Sequence, residues 1–263
     1  MLLLQLHDPS SFYMKLLSAV GCLFCMLAFS FNDNLCASPV CDSSYNFHFK
    51  HYTNDLGLPQ NSVNDIERDQ LGYLWFATGN GLSRFDGYSF RNFAKPVLPS
   101  NLVHSLAVSP DKRLWIGTRQ GLSFIDLITE AMMPFALLPG QEQNVQVISL
   151  FCDNKGRIWA GTADQGLFLL TPSDEGYQIL HFDSSNSNLP GNNVPVVCQL
   201  RNGDLLVGTN HGVAVFNANE QKPVIWQGAY LQNTVLSICE TGGGDILIGT
   251  IFGMARFQQP NSP

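Results

Sequence analysis

Through most of the chain, apolar and polar residues follow one another in short runs of strand length. Gly, Asp, Asn and Pro interrupt these runs, and no stretch of helical periodicity lies between them. The first unit shows the pattern: "SVNDIER" (62–68), "YLWFAT" (73–78), "GLSRFD" (81–86) and "SFRNF" (89–93) read as four strands. Between them lie "DQLG", then Gly79-Asn80, then Asp86-Gly87, the last a two-residue hairpin signal. The unit then recurs. "DQLGYLWFATGNGLSRF", "PDKRLWIGTRQGLSFI", "DNKGRIWAGTADQGLFLL", "RNGDLLVGTNHGVAVF" and "GGGDILIGTIFGMARF" align on Thr78, Thr118, Thr162, Thr209 and Thr250, spaced 40, 44, 47 and 41 residues apart. Four antiparallel strands in about 40 residues, repeated, predict an all-β fold: a β-propeller with five four-stranded blades present.

Three recurring positions have physical roles in such a blade. Trp75, Trp115, Trp159, Leu206 and Leu247 share one position and are large enough to fill the space between neighbouring blades. A Trp stripe also suits a carbohydrate platform, but recurrence at one repeat position favours interblade packing. The Gly or Ala before each Thr removes bulk where blades crowd. Gly81, Gly121, Gly166, Gly212 and Gly253 permit a positive φ into the third strand.

The propeller spans 47–258, after a short linker at 38–46 and before a tail at 259–263. The fifth repeat supplies only three strands, within 234–240, 245–250 and 253–258. The segment "FHFKHYT" (47–53) is the expected fourth, which would close a ring and hide an exposed sheet edge. A closed small ring and a truncated part of a larger propeller both remain open at this stage.

Residues 1–37 differ from the rest. Lys15 precedes an apolar run from Leu16 to Phe31, the profile of a signal peptide, with Met14 a more natural start than Met1 and cleavage after Ala37. The run is short for a spanning helix, and Cys22 lies too early in it for a lipoprotein site. The expected location is therefore periplasmic or secreted. The whole chain carries 14 basic and 21 acidic side chains. Removing Lys15, Asp8 and Asp33 with the leader leaves a net charge of −6, which disfavours a nucleic-acid partner. Four of the seven cysteines lie beyond the leader: Cys41, Cys152, Cys198 and Cys239. No disulfide framework is expected from them, with a pairing of Cys152 or Cys41 as the exception.

The repeat reads Asp, two residues, Gly, one residue, Leu-Trp, Ile or Phe, Gly or Ala, Thr, two residues, Gly-Leu, two residues, Phe or Tyr. This pattern, with the lead-in at 47–90, resembles the two-component regulator propeller repeat, over residues 45–258. The resemblance implies a periplasmic sensor propeller, commonly seven-bladed. In that family it stands before a membrane helix and a histidine kinase or diguanylate cyclase output module. After Phe257 the sequence reads "QQPNSP", without a membrane helix or kinase motif, so this polypeptide is expected to lack the output domain and to reach the membrane only through a missing C-terminal segment.

The turns between second and third strands differ in every blade, as a ligand-binding mouth on a constant frame requires. They give the candidate ligand-binding residues Asn80, Arg119, Gln120, Asp164, Gln165, Asn210, His211 and Phe252. Most are hydrogen-bonding types suited to a small polar molecule or a saccharide; ordinary solvated loops are the competing reading. The loops at 94–101 and 183–193, which enter the next blade, would ring the same mouth. No catalytic residue, metal site or cofactor is assigned. Asp164 and His211 are the acid/base pair that a propeller lyase or hydrolase would need. A scaffold that binds other sensor subunits is the third class of function. His104 and His181 read as structural.

Overall fold

The computed structural model describes residues 2–4, 49–138, 145–217, 223–226 and 233–258. Two short strands, β1 (Leu2–Leu4) and β2 (Phe49–His51), pair with each other, and a 3-10 turn at Asn54–Leu56 follows. Blade one is then built from β3 (Val63–Arg68), β4 (Leu74–Thr78), β5 (Gly81–Phe85) and β6 (Phe90–Phe93). Blade two holds β7 (Val103–Ser109), β8 (Arg113–Thr118), β9 (Gly121–Asp126) and β10 (Met132–Phe135). Blade three holds β11 (Val147–Cys152), β12 (Ile158–Thr162), β13 (Leu167–Ser173) and β14 (Gly176–Phe182). Blade four holds β15 (Val196–Gln199), β16 (Leu205–Thr209), β17 (Gly212–Phe216) and β18 (Val224–Ile225), and blade five β19 (Val235–Glu240), β20 (Ile246–Thr250) and β21 (Gly253–Phe257). Each blade is an antiparallel meander in chain order, so the five sheets are those expected from the repeat. Among the described residues no helix is long and apolar enough to cross a membrane.

Alternation along the second strand gives each blade two apolar faces. On β4, Trp75 points forward and packs with Leu98, Leu106, Leu114 and Ile116 of the approach to blade two and of blade two itself. Phe76 points back and packs with Leu58, Tyr52 and Phe90. Trp115, Trp159 and Leu206 repeat the forward contact toward blades three, four and five. The Trp position is therefore interblade packing, as its recurrence predicts. The small residue before Thr is needed for the reason given above: a Cβ on Gly161 would collide with the Ser149 side chain and the Val194 carbonyl of the next blade.

Two further contacts lock the frame, and neither was read from the sequence. The Trp75 indole donates to Asp69 Oδ2 at 2.7 Å and the Trp159 indole to Asp153 Oδ2 at 3.0 Å, while Trp115 donates to Ser109 Oγ at 3.1 Å. These acceptors are buried in the first turn of each blade, where Asp69 Oδ1 also accepts the backbone N–H of Leu71 and Tyr73. The same turn thus fixes the hairpin and satisfies the Trp it faces. Around the centre, the inner strands are tied to one another: Ser105 Oγ and Leu106 N donate to Asp65 Oδ2, and Leu150 N donates to Ser105 Oγ.

Two expectations need correction. Residues 49–51 of the "FHFKHYT" segment, whose first two residues lie outside the described set, pair with Leu2–Leu4 and not with blade five. Blade five accordingly has three described strands. The Asp86-Gly87 turn is not a two-residue hairpin. Phe85 pairs with Phe90, and Asp86 Oδ1 accepts both Tyr88 N and Ser89 N, a four-residue loop closed by its own side chain. Cys152 and Cys239 are half-buried free thiols, Cys198 is half-buried as well, and Cys41 lies outside the described residues.

Candidate functional site

The turn between the second and third strands is closed by the same threonine hydroxyl in all five blades, with one residue more in blade three. Thr78 Oγ1 donates to the Gly81 carbonyl at 2.7 Å and accepts the Asn80 N–H at 3.2 Å. The same pair of bonds joins Thr118 to Gly121 and Gln120, Thr162 to Gly166 and Gln165, Thr209 to Gly212 and His211, and Thr250 to Gly253 and Phe252. One hydroxyl therefore closes the turn from inside, leaving the variable side chains outside it. The glycine that follows has positive φ, 77° at Gly166, and a Cβ there would strike the Phe182 carbonyl.

The loops that lead from one blade into the next lie across these turns. Gly81 N donates to Asn101 O at 2.7 Å and Gly166 N to Asn192 O at 2.8 Å, so the loops after blades one and three rest on the turns they have just passed. The loops after blades one, two and three then bond the turns ahead: Arg119 N donates to Leu102 O, Ala163 N to Gln146 O and Asn210 N to Asn193 O. A buried leucine anchors two of these loops, at Leu98 and Leu189, and the segment that enters blade one, at Leu58. An asparagine closes each of the same three: Asn61, Asn101 and Asn192 side chains accept the N–H of Asn54, Lys95 and Ser184, each at 2.8 Å.

These bonds put most of the sequence-predicted residues on one continuous rim. Asn101 Nδ2 donates to Asn80 Oδ1 at 3.4 Å, and Lys95 Nζ donates to Gln120 Oε1 at 3.0 Å. Asn193 Nδ2 donates to the Ala163 carbonyl beside Asp164, and its N–H donates to Asn210 Oδ1. Asn210 and His211 also lie against Gly191 of the entering loop, where a Cβ would collide with both. Gln165 is half-buried, and its carbonyl accepts the His181 ring N–H at 2.6 Å while that ring stacks on Phe168. Asn80, Arg119, Gln120, Asp164 and His211 are exposed. Phe252 is 78% exposed at the end of the series.

His104 belongs to this rim, which the sequence reading missed. It stands at the bulge between Val103 and Ser105 of the inner strand, and its Nε2 lies 3.1 Å from the Gln146 side-chain amide. Burial, and after it the Arg119 cation, hold its pKa below the ordinary 6.5, so the neutral ring accepts from Gln146. His181, likewise read as structural, is held by Phe168 and Gln165. A bulge at that register was not visible in the alternation of Val, His and Ser. By contrast, burial pushes the Cys152 thiol up to about 11, leaving it a packing residue with little thiolate. A cleft of about 10 Å³ lies between blades one and two, lined by Asp69, Leu71 and Glu130 from turns and by Arg84 from β5, and has room for about one water.

The comparisons agree with this architecture. The family described as "Two component regulator propeller" matches residues 57–80, 97–120 and 141–164, stretches that include the first two strands and the rim turn of blades one, two and three. A histidine kinase, P4, of Formosa agariphila is 52% identical over 46 residues, 18% of this chain and 3% of that protein. The extracellular domain of a hybrid two-component system from B. thetaiotaomicron superimposes with a TM-score of 0.68 at 24% identity, over 81% of this chain and 31% of that one. Virginiamycin B lyase from Staphylococcus aureus does so at 0.61 and 11% identity, over 82% and 75% of the two chains. At these identities the two structures share the fold alone, and the chain spans less than a third of the sensor domain. The matched stretches open the first three blades, and there the chain is similar to the two-component regulator propeller repeat.

Proposed function

We propose that the chain is the ligand-sensing, extracytoplasmic propeller portion of a two-component-type sensor, and that the rim takes a small polar molecule or a saccharide. The observation that carries this reading is the rim itself. Five turns closed by the same threonine hold varied side chains, and the side-chain amides of Gln120, Gln146, Asn193 and Asn210 each make a hydrogen bond there, to Lys95, His104, the Ala163 carbonyl and the Asn193 N–H respectively. Amides donate and accept within one plane, which matches vicinal hydroxyls, and they do so without the desolvation cost of charges. Periplasmic placement rests on the leader-like residues 1–37 and on the extracellular domains that share the fold. Signalling would follow from ligand contacts that shift how this propeller packs on its neighbours in a sensor.

A thermal-shift series with neutral and acidic oligosaccharides tests the reading. Ligand-dependent stabilisation that is lost in Arg119→Ala, Asp164→Ala and His211→Ala supports it. Stabilisation that survives all three substitutions places the ligand elsewhere, and turnover of a ligand replaces sensing with lyase or hydrolase chemistry.

A further inference from the structure

Charge is distributed unevenly along the rim. Lys95, Arg119 and His104 share one stretch of it. Lys95 Nζ donates to Gln120 Oε1 at 3.0 Å, Arg119 precedes Gln120 in the same turn, and the Arg119 cation is close enough to act on the His104 ring. The bond from Arg119 N to Leu102 O fixes that turn beside β7, the strand that carries His104. Among the described residues, none of the three makes an ion pair or a hydrogen bond with a carboxylate. Arg84, Arg91, Arg113, Arg157 and Arg256 are by contrast each ion-paired.

The sign changes toward blade three. Gln146 is bonded on both sides, its side-chain amide to His104 and its carbonyl to Ala163 N, and Asp164 follows Ala163 in that turn. His104 is acted on by burial and by Arg119, and no acid is among the causes of its lowered pKa. The rim therefore runs from cations at Lys95 and Arg119, through the amides of Gln120 and Gln146, to a carboxylate at Asp164. In a chain of 14 basic and 21 acidic side chains this is a local reversal of charge. A lone exposed lysine or arginine is an ordinary solvated group. Two cations and an imidazole that share hydrogen-bonding amides, with a carboxylate at one end only, give an oxyanion a single preferred place.

Resting on the reading of the rim as the place where a polar ligand binds, we infer that Lys95, Arg119 and His104 form an oxyanion subsite, so that the ligand is an acidic saccharide. The shared chemistry is a carboxylate or sulfate carried on a polyhydroxylated ring. The planar guanidinium of Arg119 presents parallel N–H donors that match either group, and Lys95 adds a compact charge. The His104 Nε2 accepts from Gln146, which leaves the ring proton on Nδ1 as a further donor. Asp164 repels an anion and accepts from a hydroxyl, so the ligand's neutral hydroxyls lie toward blade three and its charged group toward blade one. The rim thereby fixes the direction of the saccharide as well as its class.

Nuclear magnetic resonance of the full chain tests this with three probes at one ionic strength: sodium glucuronate, glucose 6-sulfate and glucose. Either anion is expected to move the Arg119 Nε–H signal and to raise the midpoint of the His104 titration, because a nearby negative charge favours the imidazolium. Glucose is expected to do neither. The anion that acts at the lower concentration tells a carboxylate from a sulfate ester. Arg119→Gln should weaken glucuronate about tenfold, the worth of one charge-assisted hydrogen bond, and added NaCl should weaken the parent's binding. Glucose moving the Arg119 and His104 signals as far as the anions do would overturn the inference, as would unchanged glucuronate affinity in Arg119→Gln. The polar-ligand reading survives both results if the side-chain amides of Gln120 and Asn193 still respond. A rim unmoved by all three probes overturns both.

Discussion

Blades three and five share a sequence frame and differ in what surrounds it. In blade three, Thr162, Trp159 and Ile158 are buried, and the Trp indole is satisfied by Asp153. In blade five the same Thr bonds are made, by Thr250 to Gly253 and Phe252 at 3.0 and 3.2 Å, but the residues around them are half-exposed. The difference separates two contributions that the repeat alone merges. Turn geometry is written into each blade and forms without a neighbour, whereas burial of the large forward residue is supplied by the blade that follows.

The largest test of that separation is truncation of the forward residue. Trp159→Ala should cost about 3–5 kcal/mol in denaturant unfolding, and Leu247→Ala less than about 1 kcal/mol, because only the first opens a cavity between blades. Comparable losses would mean that blade five is buried in solution. Next comes the hydroxyl: Thr162→Val should lose about 1–3 kcal/mol by leaving buried turn groups unpaired, and Thr250→Val under about 0.5 kcal/mol. A double-mutant cycle sharpens the link between Asp153 and Trp159. Asp153→Leu and Trp159→Leu together, which reproduce Leu200 and Leu206 of blade four, should destabilise by about 1 kcal/mol less than the two singles added. Hydrogen exchange should show faster backbone exchange in β19 to β21 than in β11 to β13.

The smallest effect concerns His104. Its folded pKa lies below 6.5, so on acidification the unfolded chain takes up the proton first. The neutral ring's contribution is complete above 6.5 and is lost as pH falls through the lowered folded value. His104→Gln should flatten that acid limb of stability against pH, and an unchanged limb would assign it to other groups.

Much of this fold was legible because it is local. Strand runs, the glycine needed at positive φ and the recurring Trp each follow from a few adjacent residues, and the structure places each of them as expected. The Asp six residues before each of two tryptophans was equally visible, but its role emerges only once the hairpin folds Asp69 against Trp75 and Asp153 against Trp159. His104 and Gln146 lie 42 residues apart, and no pattern within one repeat joins them. The partner of residues 49–51 was misread for a related reason: the sequence shows what an outer strand looks like, and the choice of edge depends on chain segments far away.

The crossing loops have a consequence for how such a molecule can change over time. The loops after blades one and three are each fastened to the turn behind and to the turn ahead, so the inheritable unit of folding is the blade while the unit of recognition is the junction between two blades. Duplicating or deleting one blade keeps every frame contact yet brings together two half-junctions that had not met. Specificity can then turn over in a single genetic event, with the architecture retained.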